Sequence, residues 1–227
     1  MHAGTIDDVI GLMQGLEQSL PASDGVRWFN RLYLDVTVAV RDYCRTGPLK
    51  APPFLQQLDV LFANKFFDAY DAAAGGQVPG CWAPLFDARH DPRIAPLQFA
   101  LAGMNAHIGH DLAIGVVETC QELNVVPTDD CPQHVDYDAV NAILGKTEAQ
   151  TKQWLLTGAI KEIDHEVAPA DDAAAIWSIE AARDAAWIRA EVLWNLQDHK
   201  LLTDAYLAAL DATVGMEGRA LLLPRAV

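Results

Sequence analysis

The chain has 227 residues, of which 51% are hydrophobic and 21% are charged, a composition typical of a globular protein. Its 31 acidic and 16 basic residues give a net charge of −15. This balance argues against nucleic acid and membranes as partners, because nucleic acid and anionic membranes both attract a basic surface.

The start of the chain and its cysteines both predict a cytoplasmic protein. The first residues, MHAGTIDDVIGLMQ, lack the basic segment and following apolar segment of a signal peptide. The four cysteines contain no CxxC pair and are spread along the chain as Cys44, Cys81, Cys120 and Cys131. Such scattered cysteines are typical of reduced thiols, whereas small secreted domains carry denser disulfide frameworks.

Apolar residues recur with helical spacing along nearly the whole chain, and no strand-like alternation stands out. Thr5 and Asp8 resemble a capping box that opens a first helix. A second helix is predicted over about 25–45, and a third over FLQQLDVLFANKFFDAYDAAA, which a pair of glycines ends. The next segment, PGCWAPLFDARHDPR, predicts a short helix or a turn between prolines.

Residues 96–124 are predicted to form one unbroken helix, about 42 Å long. This helix is apolar on every face, which is typical of a central, buried helix. A linker rich in Pro and Asp at 127–135 predicts a minor hinge. Further helices are predicted at about 137–144, 148–166, 171–198 and 200–214. Because neither half would bury its apolar faces alone, we predict an all-α, single-domain multi-helix bundle over 1–227, built around the central helix.

The predicted central helix carries three polar side chains that can act together. His107 and Asp111 are four residues apart, and His107 and His110 are three apart, so all three project from one side. Two imidazoles and a carboxylate can form an acid–base set or ligate a divalent metal. The alternative is a buried pair that only sets the register of the bundle.

Other residues extend this candidate site. Asp35 and Asp59 are carboxylates inside mainly apolar helices and could meet the histidines. Arg89 could anchor an anionic group of a substrate, or form a structural salt bridge. Trp187 and Trp194 fall on one side of a later helix and could line an apolar pocket, or belong to the core.

Sequence motifs restrict the chemistry further. The chain contains no GxGxxG, GxxxxGK[ST], GxSxG or HExxH sequence, so nucleotide-binding, serine-hydrolase and zincin functions lack support. Glu162-x-x-His165 has the spacing found in di-iron bundles, but only one copy is present. No motif requires a cofactor, which leaves a divalent metal as an open option.

Four segments resemble a known family: FNRLYLDVTVAV, LDVLFANKFFDA, CWAPLFDARHDPRIAPLQFALAGMNAHIGHDL and ARDAAWIRAEVLW. They are similar to the family of unknown function numbered 5995, which is found largely in high-GC Gram-positive bacteria. The resemblance extends over roughly 25–225 and is most specific in PLQFALAGMNAHI-x-x-DL. It implies that Arg can replace His110, which favours His107 and Asp111 as site residues. It also implies a helical fold and supplies no activity.

From the residues alone we predict a small-molecule enzyme of lyase, cyclase, isomerase or hydrolase type. Its substrate would be a small apolar or anionic metabolite, with His107 as general base or acid and Asp111 as its partner. A ligand-binding or interaction module with structural polar groups is the first alternative. A metal-dependent, di-iron-like bundle is the second. A homodimer remains open.

Overall fold

The computed structural model describes residues 1–144 and 179–224, and every regular element in these ranges is helical. The helices are α1 (Ile6–Ser19), α2 (Gly25–Thr46), α3 (Pro52–Ala74), α4 (Ala83–Ala88), α5 (Pro96–Ala106), α6 (Leu112–Leu123), α7 (Pro132–Ala139), α8 (Ile179–Leu196) and α9 (Lys200–Leu221). A π-helical segment, His107–Asp111, joins α5 to α6 and is called the π turn below. The predicted all-α fold is confirmed. The helix predicted at 148–166, and residues 171–178 of the next, lie outside the described residues.

Local side-chain chemistry explains where the first helices begin. The Thr5 hydroxyl accepts a hydrogen bond from the backbone N–H of Asp8 at 3.1 Å, as the predicted capping box requires. Asp24 caps α2 in the same way by accepting the N–H of Val26 at 3.0 Å. In α3, Pro52 occupies the first turn, where a missing N–H costs nothing. These three helices match the sequence predictions closely.

The helix α7 starts earlier than the sequence pattern predicts. Pro132 opens it, inside the segment predicted as a linker, because proline is well suited to a first helical position. The Cys131 sulfur accepts the N–H of His134 at 3.3 Å and so supplies the cap. Farther along, the Asp136 carboxylate accepts the N–H of Ala51 at 2.6 Å, which ties α7 to the start of α3.

The stretch from α5 to α6 differs from the single regular helix that was predicted, because the π turn interrupts it. Every residue from 99 to 109 is buried. The stretch packs against α2, α3, α8 and α9. A β-carbon at Gly103 would lie 2.3 Å from the ring of Phe29, so the missing side chain lets α2 approach α5 closely.

Within the described ranges, no helix combines the length and the apolar character that crossing a bilayer requires.

Candidate functional site

The π turn gathers the three polar residues that the sequence singled out. His107 Nδ1 lies 3.1 Å from Asp111 Oδ2, and His110 Nδ1 lies 2.8 Å from Asp111 Oδ1. One carboxylate therefore joins two imidazoles. Single π-helical turns within α-helices frequently occur at functional sites.

A tryptophan completes this network, and the two histidines decide the protonation of its carboxylate. The indole N–H of Trp82, just before α4, donates to Asp111 Oδ2 at 2.9 Å. Burial opposes ionisation of Asp111, but hydrogen bonds from His107 and His110 lower its pKa below the ordinary value. An ionised carboxylate only accepts hydrogen bonds, so the proton of His107 sits on Nδ1 and the Nε2 lone pair is left as an acceptor.

The imidazole of His107 is electrically neutral near pH 7. Its side chain is fully buried, and this burial lowers its pKa even though Asp111 acts in the opposite direction. Rings surround it on several sides: Phe62 lies parallel to it, with ring centroids 3.5 Å apart, and Tyr33 meets it edge-on at 4.6 Å. A neutral imidazole in these surroundings is suited to act as a base.

A cavity of about 50 Å³ lies beside this imidazole and is called the His107 cavity below. Its walls are mainly apolar and come from α2, α3, α5 and α6, with Val36, Leu55, Leu58, Met104 and Leu112 among them. Tyr33, Asp59 and His107 also line it. Each of these three has a buried polar atom without a hydrogen-bond partner in residues 1–144 and 179–224, namely Tyr33 Oη, Asp59 Oδ2 and His107 Nε2.

Such unpartnered atoms are informative because buried polar groups in proteins are normally hydrogen-bonded. The Thr37 hydroxyl lies near the Tyr33 phenol. It donates its hydrogen to the backbone carbonyl of Tyr33 at 3.0 Å, so this hydrogen is not donated to the phenol oxygen. An apolar cavity with a few convergent polar groups is the usual form of a small-molecule site.

The acids of the cavity are hydrogen-bond donors near neutral pH. Burial raises the pKa of Asp59 to about 7, so a large fraction of this carboxyl carries a proton. Burial, reinforced by the negative charges of Asp59 and Asp111, raises the pKa of Tyr33 well above its ordinary value. The cavity therefore combines one base, His107, with two donors, Tyr33 and Asp59.

Arg183, on α8, brings a cation to the same cavity. Its Nε donates to Asn141 Oδ1 at 2.7 Å, and its Nη2 donates to the Tyr137 carbonyl at 2.7 Å. The guanidinium carbon also lies 4.0 Å from the centroid of the Tyr137 ring. These contacts hold a buried positive charge in place, where it can face an anionic group.

Two of the predicted substrate-binding residues lie elsewhere. Arg89 donates to the carboxylate of Asp24, with both oxygens 3.0 Å from Nε, and it is not part of the lining of the His107 cavity. Asp35 lies 3.7 Å from Arg31, and 42% of its side chain is exposed. The structure therefore places Asp59 in the same cavity as His107, and it places Asp35 and Arg89 elsewhere.

The two tryptophans of α8 are also separate from the His107 cavity. Trp187 is buried and stacks on His134 at 4.4 Å, where it lines a second, polar pocket with Glu180. Trp194 is half-buried and packs against the core. The predicted motif at 162–165 lies outside the described residues.

Sequence reasoning missed Tyr33, Phe62 and Trp82 as parts of the site. A helical-wheel signal exists for Tyr33, because it shares the buried face of α2 with Thr37 and other core residues. Trp82 could not be found in this way, since it belongs to a turn and reaches Asp111 from 29 residues away.

Comparison with known proteins identifies the family of this chain. No curated protein and no solved structure matches the chain. Residues 6–224 match the family described as "Family of unknown function (DUF5995)". This match covers nearly the whole chain and confirms the resemblance found in the sequence. The protein therefore belongs to this family of unknown function.

Proposed function

We propose that this protein is an enzyme that moves a proton within a small, largely apolar carbonyl compound. His107 would be the base, and Tyr33 and neutral Asp59 would be hydrogen-bond donors to the carbonyl oxygen. The observation that supports this proposal is the meeting of these residues in one apolar cavity, each with a buried polar atom that has no partner in the described part of the chain.

The reaction begins when His107 Nε2 removes a proton from the carbon next to the carbonyl. The electrons of the broken C–H bond move toward the carbonyl oxygen, which gains negative charge. Tyr33 and Asp59 stabilise this charge by donating hydrogen bonds, and such donors are most effective where water is excluded. In a substrate with a carbon–carbon double bond next to that carbon, the imidazolium then returns the proton to the far carbon of the double bond. The double bond shifts by one position into conjugation with the carbonyl, so the step requires no oxidant, reductant or cofactor.

The surroundings of His107 suit this role. When the ring accepts a proton it becomes a cation, and Asp111, at 3.1 Å from Nδ1, stabilises that cation. The face of Phe62 stabilises it further, because aromatic faces attract positive charge. Both groups interact more strongly with the charged ring than with the neutral ring, which is the condition for lowering a reaction barrier.

The size and lining of the cavity restrict the substrate. A cavity of about 50 Å³ limits the substrate to a molecule with a short carbon chain. The walls favour a short hydrocarbon chain, and Arg183 favours a carboxylate at one end. Among the reaction types open to the sequence, isomerisation fits best, because hydrolysis would place a reacting water in a mainly apolar cavity.

Hydrogen–deuterium exchange tests this proposal without knowledge of the natural substrate. The probes are 2-butanone, butanal and 2-oxobutanoate, each incubated with the protein in D₂O and followed by proton NMR. We expect the wild type to accelerate exchange at the carbon next to the carbonyl for at least one probe. We expect His107→Gln to abolish the acceleration, and Tyr33→Phe and Asp59→Asn to reduce it at least about 10-fold.

Asp68→Asn is the matched control for Asp59→Asn, because Asp68 is an exposed carboxyl on the same helix. It should leave the exchange rate unchanged. If the wild type accelerates no exchange, and His107→Gln only lowers the melting temperature, the network is structural. The protein would then belong to the ligand-binding or interaction class instead.

A further inference from the structure

A second cluster of polar side chains adjoins His110. Cys81, His110 and Asp211 each offer one atom to this cluster, a sulfur, a ring nitrogen and a carboxylate oxygen, and these atoms lie within 4.8 Å of one another. We propose that these three residues form a binding site for a divalent metal ion with the preferences of Zn²⁺. This site lies outside the lining of the His107 cavity and adjoins the proposed proton-transfer site through the Asp111 carboxylate, which contacts both His110 and His107.

The donor set matches what Zn²⁺ prefers. Thiolate, imidazole and carboxylate are its common protein ligands, with metal–ligand distances of about 2.0–2.3 Å. Tetrahedral geometry at these distances places neighbouring ligand atoms about 3.3–3.8 Å apart, so modest side-chain rotations close the set. A thiolate and a carboxylate together also neutralise the charge of the ion. Three protein ligands leave the fourth position for water or a further ligand.

The ligands are oriented by their own hydrogen bonds. His110 Nδ1 is held by Asp111 Oδ1 at 2.8 Å, which leaves Nε2 as the nitrogen that would bind the metal. Metal-binding histidines almost always bond a carboxylate or carbonyl through the other ring nitrogen in this way. The Asp211 carboxylate accepts the backbone N–H of Cys81 at 2.8 Å and also faces its thiol.

The backbone brings these distant parts of the chain together at glycines. A β-carbon at Gly80 would lie 2.3 Å from Asp211 Oδ2, and one at Gly215 would lie 2.6 Å from the Gly80 carbonyl oxygen. The turn before α4 can therefore contact the backbone of α9 because Gly215 lacks a side chain, and the absence of a side chain at Gly80 leaves room for the Asp211 carboxylate. Cys81 is buried, whereas 13% of the His110 side chain is exposed, so the cluster lies just beneath the surface.

Metal binding here is a simple exchange of a proton for a metal ion. The S–H bond of Cys81 breaks, a sulfur–metal bond forms, and the proton passes to the solvent. No group is oxidised or reduced. The ion would join α9 to the turn before α4 and to the π turn.

Cobalt tests this site, because Co²⁺ occupies zinc sites and absorbs strongly when bound to thiolate. Tag-free protein is stripped with a chelator and titrated with Co²⁺, then with Zn²⁺. We expect one Co²⁺ per chain, a thiolate-to-cobalt charge-transfer band, and loss of the band when Zn²⁺ displaces cobalt. Cys81→Ala should abolish the band, and His110→Ala and Asp211→Asn should weaken cobalt binding by at least about 10-fold.

Cys120→Ala is the matched control, since Cys120 is a buried cysteine of α6 outside the cluster. It should keep both the band and the stoichiometry. Wild-type protein that binds no Co²⁺ in a 1:1 ratio would overturn the proposal even if every variant failed to fold. A band that survives in Cys81→Ala but not in Cys120→Ala would overturn it as well. Neither result affects the exchange experiment on His107.

Discussion

Phe62 lies flat against His107, with the two ring centroids 3.5 Å apart and the ring planes 8° apart. This contact fixes the plane of the imidazole, so that Nδ1 stays on Asp111 while the ring lines the cavity. The aromatic surroundings also exclude water from the ring. The position and the charge of the proposed base therefore both depend on Phe62.

Phe62→Leu tests this relationship. Phe62 is half-buried, so we expect the substitution to lower the free energy of unfolding by about 1–2 kcal/mol. It should also move the NMR signals of the His107 ring protons downfield, because the ring current of Phe62 is lost. Phe67→Leu is the control, since Phe67 is fully buried and packs on Phe66 instead. Unchanged His107 signals in Phe62→Leu would contradict the stacked geometry.

The stability of the protein should depend on pH through Asp59. Burial raises its pKa to about 7 in the folded chain, above the ordinary value of 3.8. Between these values the folded chain holds a proton that the unfolded chain has released, so the free energy of unfolding falls as pH rises and levels off above about 7. The full effect of this shift is on the order of 4 kcal/mol.

Urea unfolding at about pH 5 and about pH 8 measures this dependence. His107, whose pKa burial lowers, contributes with the opposite sign in the wild type and in Asp59→Asn alike, so the comparison of the two isolates Asp59. On going to the higher pH, the free energy of unfolding should fall further in the wild type than in Asp59→Asn, because an amide does not titrate. Asp68→Asn, an exposed carboxyl on the same helix, should behave like the wild type. Equal pH dependence in the wild type and in Asp59→Asn would show that Asp59 is ionised throughout.

Much of the fold could be predicted from the sequence because local chemistry decides it. Thr5 caps α1 and Pro52 opens α3 through groups within a few residues in sequence. The π turn could not be predicted, since the apolar pattern of residues 97–117 suits a regular helix equally well. The spacing of His107 and Asp111 nonetheless indicated their contact, which the structure places at 3.1 Å.

The cavity depends on contacts between distant segments, which no local pattern reveals. Tyr33, Asp59 and His107 come from α2, α3 and the π turn, and only the packing of these elements brings them to one space. Asp59 was a candidate because a carboxylate in an apolar helix is costly unless it has a role. Arg89 was a candidate because a guanidinium can hold an anionic group, with a structural salt bridge as the alternative; its partner is Asp24, 65 residues earlier.

Arg89→Ala should therefore lower stability and leave catalysis unchanged. The substitution leaves the Asp24 carboxylate, which is 2% exposed, without its cation. We expect a loss of about 2–4 kcal/mol in urea unfolding, because a buried charge without its partner is costly. Arg93→Ala is the control, because Arg93 pairs with Asp91 on the exposed surface and its loss should leave stability almost unchanged. A changed rate of hydrogen–deuterium exchange in folded Arg89→Ala would contradict this prediction and would show that Arg89 belongs to the proposed site.

Arg183 should select for substrates that carry a carboxylate. Its guanidinium lines the His107 cavity and is held by Asn141 and by the Tyr137 carbonyl. In the exchange experiment, Arg183→Gln should raise the KM for 2-oxobutanoate by at least about 10-fold, the loss expected for a charge-assisted contact, with a smaller effect on kcat. The KM for 2-butanone, which carries no charge, should stay the same.

The comparison of two probes on one variant separates a lost anion contact from a general loss of folding, which would reduce turnover of both. An equal rise in KM for both probes would mean that Arg183 supports the wall of the cavity and does not bind the carboxylate.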